Sequence, residues 1–381
     1  MKVTGIIAEY NPFHEGHAYQ LKTAKSMSDA VIVIMSGCFV QRGDVAIYDK
    51  FKRAEVALKN GADLVIELPV VFSSSTAERF AYGGVCLLHK TNIVDFLLFG
   101  SESGDLKALE SAAEILENEP ESVSLNLKNL LNEGLSYPKA REIAYKDFIE
   151  PTLLSSPNNI LGIEYIRQLI RLNSKIKPVT LKRQGAGYHD KDFKKEFPSA
   201  TALRSAIINE DFSYEPFKND CVHTLKNLET AIIYNIRKNK EMAFSNIFDV
   251  SEGIENRLVR AASEYSSIED IINHCTTKRY TRTKLQRILI ASLLGINSEL
   301  SKQEPEYIRV LGTTETGFSL INKIKELSAL KIITKVADFK DENKMFEKDI
   351  LATDIFDLSS SSPQGAGRDF KTTPIILRST T

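Results

Sequence analysis

A short apolar run, Val3 to Ala8, leads directly into Glu9-Tyr10-Asn11-Pro12-Phe13-His14-Glu15-Gly16-His17, after which the pattern becomes helical. Such a run, β-branched and ended by a turn-forming Asn-Pro, predicts a buried parallel strand. Where a strand hands over to a helix through one tight turn, the first backbone N–H groups of the helix have no internal partner. The helix dipole adds positive charge at the same place. An anion is the natural occupant, and phosphate is the commonest. His14 and His17 bring two imidazoles to that turn, and Gly16 lets a nucleotide lie against the backbone. H-x-G-H by itself is a short pattern, and it gains meaning from the strand in front of it.

The same alternation continues. Val31 to Met35, Leu64 to Leu68 and Ile93 to Phe99 read as further buried strands, and Pro178 to Leu181 is a candidate fifth. Helical patterns fall at Lys50 to Lys59, Thr76 to His89, Asp105 to Leu116 and from Pro157 to Leu172. Strands alternating with helices predict right-handed βαβ units and a parallel sheet covered on both faces, an α/β Rossmann-like domain. With 381 residues the chain exceeds one ordinary core, so two domains are expected. The stretch Asp211 to Asp220 lacks apolar periodicity and carries a proline, which places the boundary near 215. Residues 1–215 then form the catalytic domain, with a polar helical insertion at about 118–150 able to cap the pocket. Residues 216–381 form a mostly α-helical C-terminal domain, with its best helix at Lys284 to Leu294. The serine run Ser359 to Ser362 and Gly365-Ala366-Gly367 predict an irregular, loosely attached tail.

A triphosphate needs more donors than one helix start supplies, preferably arginines that grip two oxygens at once. Ser199-Ala200-Thr201-Ala202-Leu203-Arg204 offers two hydroxyls at a helix start, with Arg204 one turn beyond Thr201. Ser199 also suits a plain N-cap. Lys278, Arg279, Arg282, Lys284 and Arg287 place five cations within ten residues around Tyr280, a pattern suited to RNA phosphates and a stacked base, though charge runs also serve as solvated helix faces. Overall, 49 Lys plus Arg against 50 Asp plus Glu give a net charge of -1, so any nucleic acid would meet a local patch. The four cysteines stand apart, and Cys221-x-His223 with His274-Cys275 fits no ordinary zinc spacing, so no metal site is expected. Neither a signal peptide nor a membrane span is expected, which points to a soluble cytoplasmic protein. Nothing in the sequence specifies a protein partner.

The H-x-G-H signature resembles that of the HIGH-type nucleotidyltransferase superfamily. More narrowly, Glu9 to His17, Met35-Ser36-Gly37-x-Phe39-Val40-Gln41-Arg42-Gly43 and Ala62 to Pro69 resemble the bacterial tRNA(Met) cytidine acetate ligases. So do Phe99-Gly100-Ser101-Glu102, Pro157 to Gly162, Gly187-Tyr188-His189-Asp190, Lys278 to Arg287 and Arg309-Val310-Leu311-Gly312. Ser199 to Arg204 resembles the superfamily's S-S-T-x-x-R, with Ala200 in place of the middle serine; the K-M-S-K-S form of the synthetases is absent.

That resemblance implies an enzyme that activates acetate with ATP as acetyl-adenylate and acetylates the wobble cytidine of elongator tRNA(Met). It implies His14 and His17 as catalytic residues, and ATP contacts from Ile7, Glu9, Tyr10, Asn11, Pro12, Phe13, His14, Gly16, His17, Gln20, Gly100, Asn158, Asn159, Arg183, Ser199, Thr201 and Arg204. Magnesium is expected with the ATP, without a carboxylate cluster to hold it. The cationic run from Lys278 to Arg287 would meet the tRNA. Two other readings use the same motifs: a small-molecule adenylyltransferase acting on a coenzyme precursor, and a non-enzymatic RNA-binding protein on an old nucleotide fold.

Overall fold

The structure is a computed structural model, describing residues 1–183, 199–209, 214, 217–251 and 253–378. Gly187 to Asp190 therefore lie outside the described residues.

Five strands carry the N-terminal half of the main sheet: β1 (Val3–Ala8), β2 (Ala30–Ser36), β5 (Leu64–Leu68), β6 (Phe96–Ser101) and β7 (Lys177–Lys182). A two-stranded hairpin, β3 (Phe39–Val40) and β4 (Asp44–Val45), projects beyond β2. β1 lies between β2 and β6, with β5 outside β2 and β7 outside β6, all parallel. Period-two alternation sorts their side chains onto two faces. Ile6, Val31, Val33 and Val65 pack with Leu21, Phe51 and Ala57 from the helices Glu15–Met27 and Lys50–Lys59. Ile7, Ile32, Ile34 and Ile66 pack on the other face with Phe80, Val85 and Ile163 from the helices Ala77–Lys90 and Pro157–Arg171. β2 and β5 are buried along their whole length, as strands covered on both faces must be. The expected insertion is helical, at Glu121–Asn132 and Tyr137–Ala144.

Beyond residue 300 the chain does something the periodicity did not suggest. β8 (Tyr307–Thr314) joins the sheet antiparallel to β5, and β9 (Lys331–Ile333) and β10 (Ile375–Leu377) run parallel to β8. The main sheet thus takes strands from both sides of residue 215. β8 is buried except at its last residue, and Tyr-Ile-Arg-Val-Leu-Gly reads as a strand once its neighbour is known. The stretch from 338 onward is no loose tail either. It contains the helix Lys344–Phe356, and Ser359 and Ser360 are buried. Ser359 Oγ lies 2.9 Å from His223 Nδ1, so the serine run satisfies polar groups inside the fold. Between these parts, the helices Glu229–Asn239, Ile254–Glu264, Ile268–Cys275 and Arg282–Leu294 pack into the expected helical array.

A buried ionic network joins the C-terminal segment to the first half of the chain. Fully buried Lys50 Nζ donates to both oxygens of Glu67 at 2.9 Å, to Thr353 Oγ1 at 2.9 Å and to Asp369 Oδ2 at 3.1 Å. Burial alone would lower the Lys50 pKa, but Asp369 and Glu67 outweigh it and hold the ammonium charged. Arg309 of β8 faces Asp369 at 3.5 Å. Asp349 receives the Val70 N–H at 2.7 Å and the Tyr307 hydroxyl at 2.5 Å. Removing one member strands the others without compensation, at a cost of about 3–5 kcal/mol. Lys50→Met is expected to lower unfolding free energy by that order in urea titration; a loss below about 1 kcal/mol would contradict the network's role.

Candidate active site

Because the strand order runs outward from β1 in both directions, the carboxyl ends of β1 and β6 flank a crevice, the usual ligand position in open parallel sheets. A cavity of about 810 Å³ opens there, at the upper end for a small-molecule site. Ile7, Ala8, Gly100 and Leu181, from the ends of β1, β6 and β7, form its floor.

The first turn supplies its most distinctive wall. His14 is the N-cap of the helix Glu15–Met27, and its Nδ1 accepts the Gly16 N–H at 3.1 Å. Reciprocally, the His14 N–H donates to His17 Nδ1 at 3.2 Å. The rings stack with centroids 3.8 Å apart. A Cβ on Gly16 would sit 2.9 Å from His14 Cε1, so the glycine makes room for the imidazole as well as for any ligand. Burial, then Arg183 and Arg204, lower the His14 pKa to about 4; burial and the neighbouring His14 push His17 well below the ordinary value. Both rings are therefore neutral at physiological pH. With each Nδ1 accepting a backbone N–H, the proton resides on Nε2, and both rings are fixed as hydrogen-bond donors. Tyr10 and Phe13 pack behind them, with Tyr10 4.9 Å from both Phe13 and His17.

Arg204 ties the second motif to the first. Its Nη1 donates to the Asn11 carbonyl at 2.7 Å and its Nη2 to Thr201 Oγ1 at 3.2 Å. Ser199 caps the helix Ala200–Ile208, accepting the Ala202 N–H at 3.1 Å. All three line the cavity. Across it, Arg183 donates to Asn158 Oδ1 at 3.2 Å, and Asn158 donates to Glu102 Oε1 at 2.7 Å. Gln20 is tethered to the Leu98 carbonyl at 3.1 Å.

The structure brings Ile7, Glu9, Asn11, His14, Gly16, His17, Gln20, Gly100, Asn158, Arg183, Ser199, Thr201 and Arg204 into this one cavity. Tyr10, Pro12, Phe13 and Asn159 lie behind its walls. Asn159 Oδ1 accepts the N–H groups of Glu102 and Ser103 at 3.0 and 3.1 Å, which positions the loop after β6.

Of the cationic run, Arg279, Lys284 and Arg287 line the same cavity, whereas Lys278 and Arg282 face outward. Arg282 pairs with Glu269. The expectation that Tyr280 stacks on a base is corrected. Tyr280 is buried, its hydroxyl donates to the Ser251 carbonyl, and Lys284 Nζ covers its ring at 4.6 Å from the centroid. Ser251 and Lys284 claim the hydroxyl and the ring before any base reaches them.

Sequence reasoning missed part of the lining. Gln41, Arg42 and Asp44 come from the β3–β4 hairpin, and Tyr137 and Arg141 from the insertion, which does reach the pocket. Charged residues in the glycine-bounded loop after β2 were the available signal. Among the described residues, no group of three or more His, Cys, Asp or Glu could hold a metal ion, and no helix is long and apolar enough to cross a membrane.

A parallel sheet whose first turn presents two neutral imidazoles to a crevice at its order reversal defines a nucleotidyltransferase-type site. A family model described as HIGH Nucleotidyl Transferase matches residues 1–369. A protein of Thermoanaerobacter sp. (strain X514) named tRNA(Met) cytidine acetate ligase is 43% identical, covering 97% of this chain and 98% of its own length. A Clostridium perfringens (strain ATCC 13124) protein of the same name is 39% identical over 99% of this chain and its own full length. Among solved structures, Thermotoga maritima TmcAL bound with alpha-thio ATP is 32% identical, covers both chains completely and superposes with a TM-score of 0.89. Its apo form gives 34% and 0.90, again over both full lengths. The chain belongs to the HIGH nucleotidyltransferase family, in its tRNA(Met) cytidine acetate ligase branch.

The neutral imidazoles have a measurable signature. Histidine NMR titration is expected to show His14 and His17 unprotonated at pH 6, with His14 charging only near pH 4. The folded site refuses a proton that the unfolded chain takes up near pH 6.5, so this contribution to stability is full above pH 6.5 and declines as pH falls toward 4. A His14 midpoint near 6.5 in the folded protein would contradict the tautomer assignment.

Proposed function

We propose that the protein is a cytoplasmic ATP-dependent ligase that activates acetate as acetyl-adenylate and acetylates N4 of the wobble cytidine of elongator tRNA(Met). The observation that carries this reading is the shared cavity. The two-histidine turn and Arg204 stand on one side, and Arg279, Lys284 and Arg287 stand on another. A nucleotide and an RNA base can therefore meet in one place, and a small-molecule adenylyltransferase has no need of the second set.

ATP would lie with its adenosine toward Gly100, Asn158 and Arg183, and its phosphates between the first turn and Ser199, Thr201 and Arg204. Acetate is already ionised at neutral pH, so no base is needed to generate the nucleophile. One carboxylate oxygen attacks the α-phosphorus in line, and pyrophosphate leaves toward Thr201 and Arg204. The Nε2–H groups of His14 and His17 donate to oxygens that gain charge, and because they are preset as donors they require no reorganisation at that moment. Magnesium carried on the triphosphate would offset part of its charge. In the second step the cytidine N4 amine attacks the acetyl carbonyl and AMP departs.

His17→Ala and Arg204→Ala are each expected to weaken ATP binding about 10- to 100-fold by calorimetry, the loss typical of a hydrogen bond to a charged group. Unchanged affinity in both would remove the phosphate site. The reaction itself is tested by ATP–pyrophosphate exchange and by nucleoside mass spectrometry. Exchange should require acetate, and tRNA from a strain lacking the protein should have lost N4-acetylcytidine at the elongator methionine anticodon. Exchange only with a nucleotide-like acceptor, or an unchanged nucleoside profile, rejects the assignment.

A further inference from the structure

Aminolysis of an acyl-adenylate requires a proton acceptor for the attacking amine, and the histidines cannot supply one. Their Nδ1 atoms already accept backbone N–H groups, and their Nε2 atoms carry the protons. Among the described residues, the cavity carboxylates are the natural acceptors. They are Glu9, Asp44, Glu78, Glu164 and Asp249. Glu78 pairs with Arg171 at 2.6 Å, Glu164 with Arg167 at 2.8 Å and Arg141 at 3.2 Å, and Asp249 with Arg287 at 3.8 Å. Glu9 Oε1 takes the Gln41 N–H at 2.8 Å, and Glu9 belongs to the turn that serves the phosphates.

Asp44 differs from Glu78, Glu164 and Asp249 in its partner, and from Glu9 in its place. Its Oδ1 accepts the neighbouring Val45 N–H at 2.8 Å, and no salt bridge among the described residues engages its carboxylate. The β3–β4 hairpin that carries it is wedged against the helix Arg282–Leu294: a Cβ on Gly43, whose φ is +75°, would sit 2.5 Å from the Arg287 backbone nitrogen. Arg204 in the cavity wall and the outward-facing Arg282 are both among its charged neighbours, with Glu9 the like charge. Asp44 thus stands at the seam between the two halves of the cavity. Burial raises its carboxyl above the usual range, against the pull of the Val45 N–H and Arg204, which makes it a better base than a solvated aspartate.

We propose that Asp44 is a catalytic residue of the acyl-transfer half-reaction, accepting the proton of the cytidine N4 amine as it attacks acetyl-adenylate. The new bond joins N4 to the acetyl carbonyl carbon. The bond from that carbon to the phosphate oxygen breaks, with its electron pair leaving on AMP, and the N4 proton passes to Asp44 and then to solvent. This assignment rests on the proposed ligase activity and adds a residue to its second step.

The test separates the two half-reactions of the full-length enzyme. In Asp44→Asn, acetate-dependent ATP–pyrophosphate exchange is expected to stay within about two-fold of wild type. Single-turnover transfer from enzyme-bound acetyl-adenylate to tRNA(Met) is expected to fall about 100-fold, the ordinary worth of a general base. Asp44→Glu should recover part of the transfer rate. Should Asp44→Asn fail to fold, as judged by thermal melting, Asp44→Ala is read in the same way. A parallel fall of both half-reactions, or a transfer rate equal to wild type, overturns the proposal. Failure of the wild-type enzyme itself to acetylate tRNA(Met) would instead remove the ligase reading on which it rests.

Discussion

The site depends on a reciprocal pair of hydrogen bonds in which each of two histidines spends its Nδ1 on a backbone N–H at the start of one helix. A capping box normally uses Ser or Thr with Glu, and its only product is a satisfied helix end. Built from imidazoles, the same device fixes two rings in one tautomer and leaves two donors facing the crevice. Their burial keeps them neutral, so positive charge comes from arginines rather than from histidinium. Arg204 completes the arrangement by holding the carbonyl of Asn11, three residues before His14, while remaining in the cavity wall. Local capping chemistry and binding chemistry are therefore one set of contacts.

Around that turn the sheet acts as a two-sided frame. Successive residues of β1 serve opposite cores, Ile6 one and Ile7 the other, so the strand cannot shift by one residue without exchanging both. The ends of β1, β6 and β7 are thus held at fixed heights. Helix side chains facing the site, Asn158 and Gln20, are braced by Glu102 and by the Leu98 carbonyl.

Much of this was legible in the sequence. The five parallel strands and the helices between them follow from apolar runs and period, and the first turn from His14, Gly16 and His17. The C-terminal strands were not legible. β8 follows helical sequence, and its partner β5 lies some 240 residues earlier, so only tertiary pairing makes it a strand. Nor could sequence separate the two roles of the Lys278 to Arg287 run, since whether Tyr280 is a platform or a core residue depends on Ser251 and Lys284 reaching it first. Asp44 escaped notice because its meaning lies in what the hairpin is wedged against.

The antiparallel pairing of β5 with β8 bears on how the chain is born. During synthesis β5 emerges early, and its outer edge stays open until Tyr307–Thr314 has left the ribosome. Over that interval a largely apolar strand edge, interrupted by Glu67, and a charged Lys50 lacking Asp369 coexist in the nascent protein, the kind of edge that invites pairing with a stranger. The completed polypeptide closes its own seam, so the last quarter of the chain acts as the built-in guardian of the first.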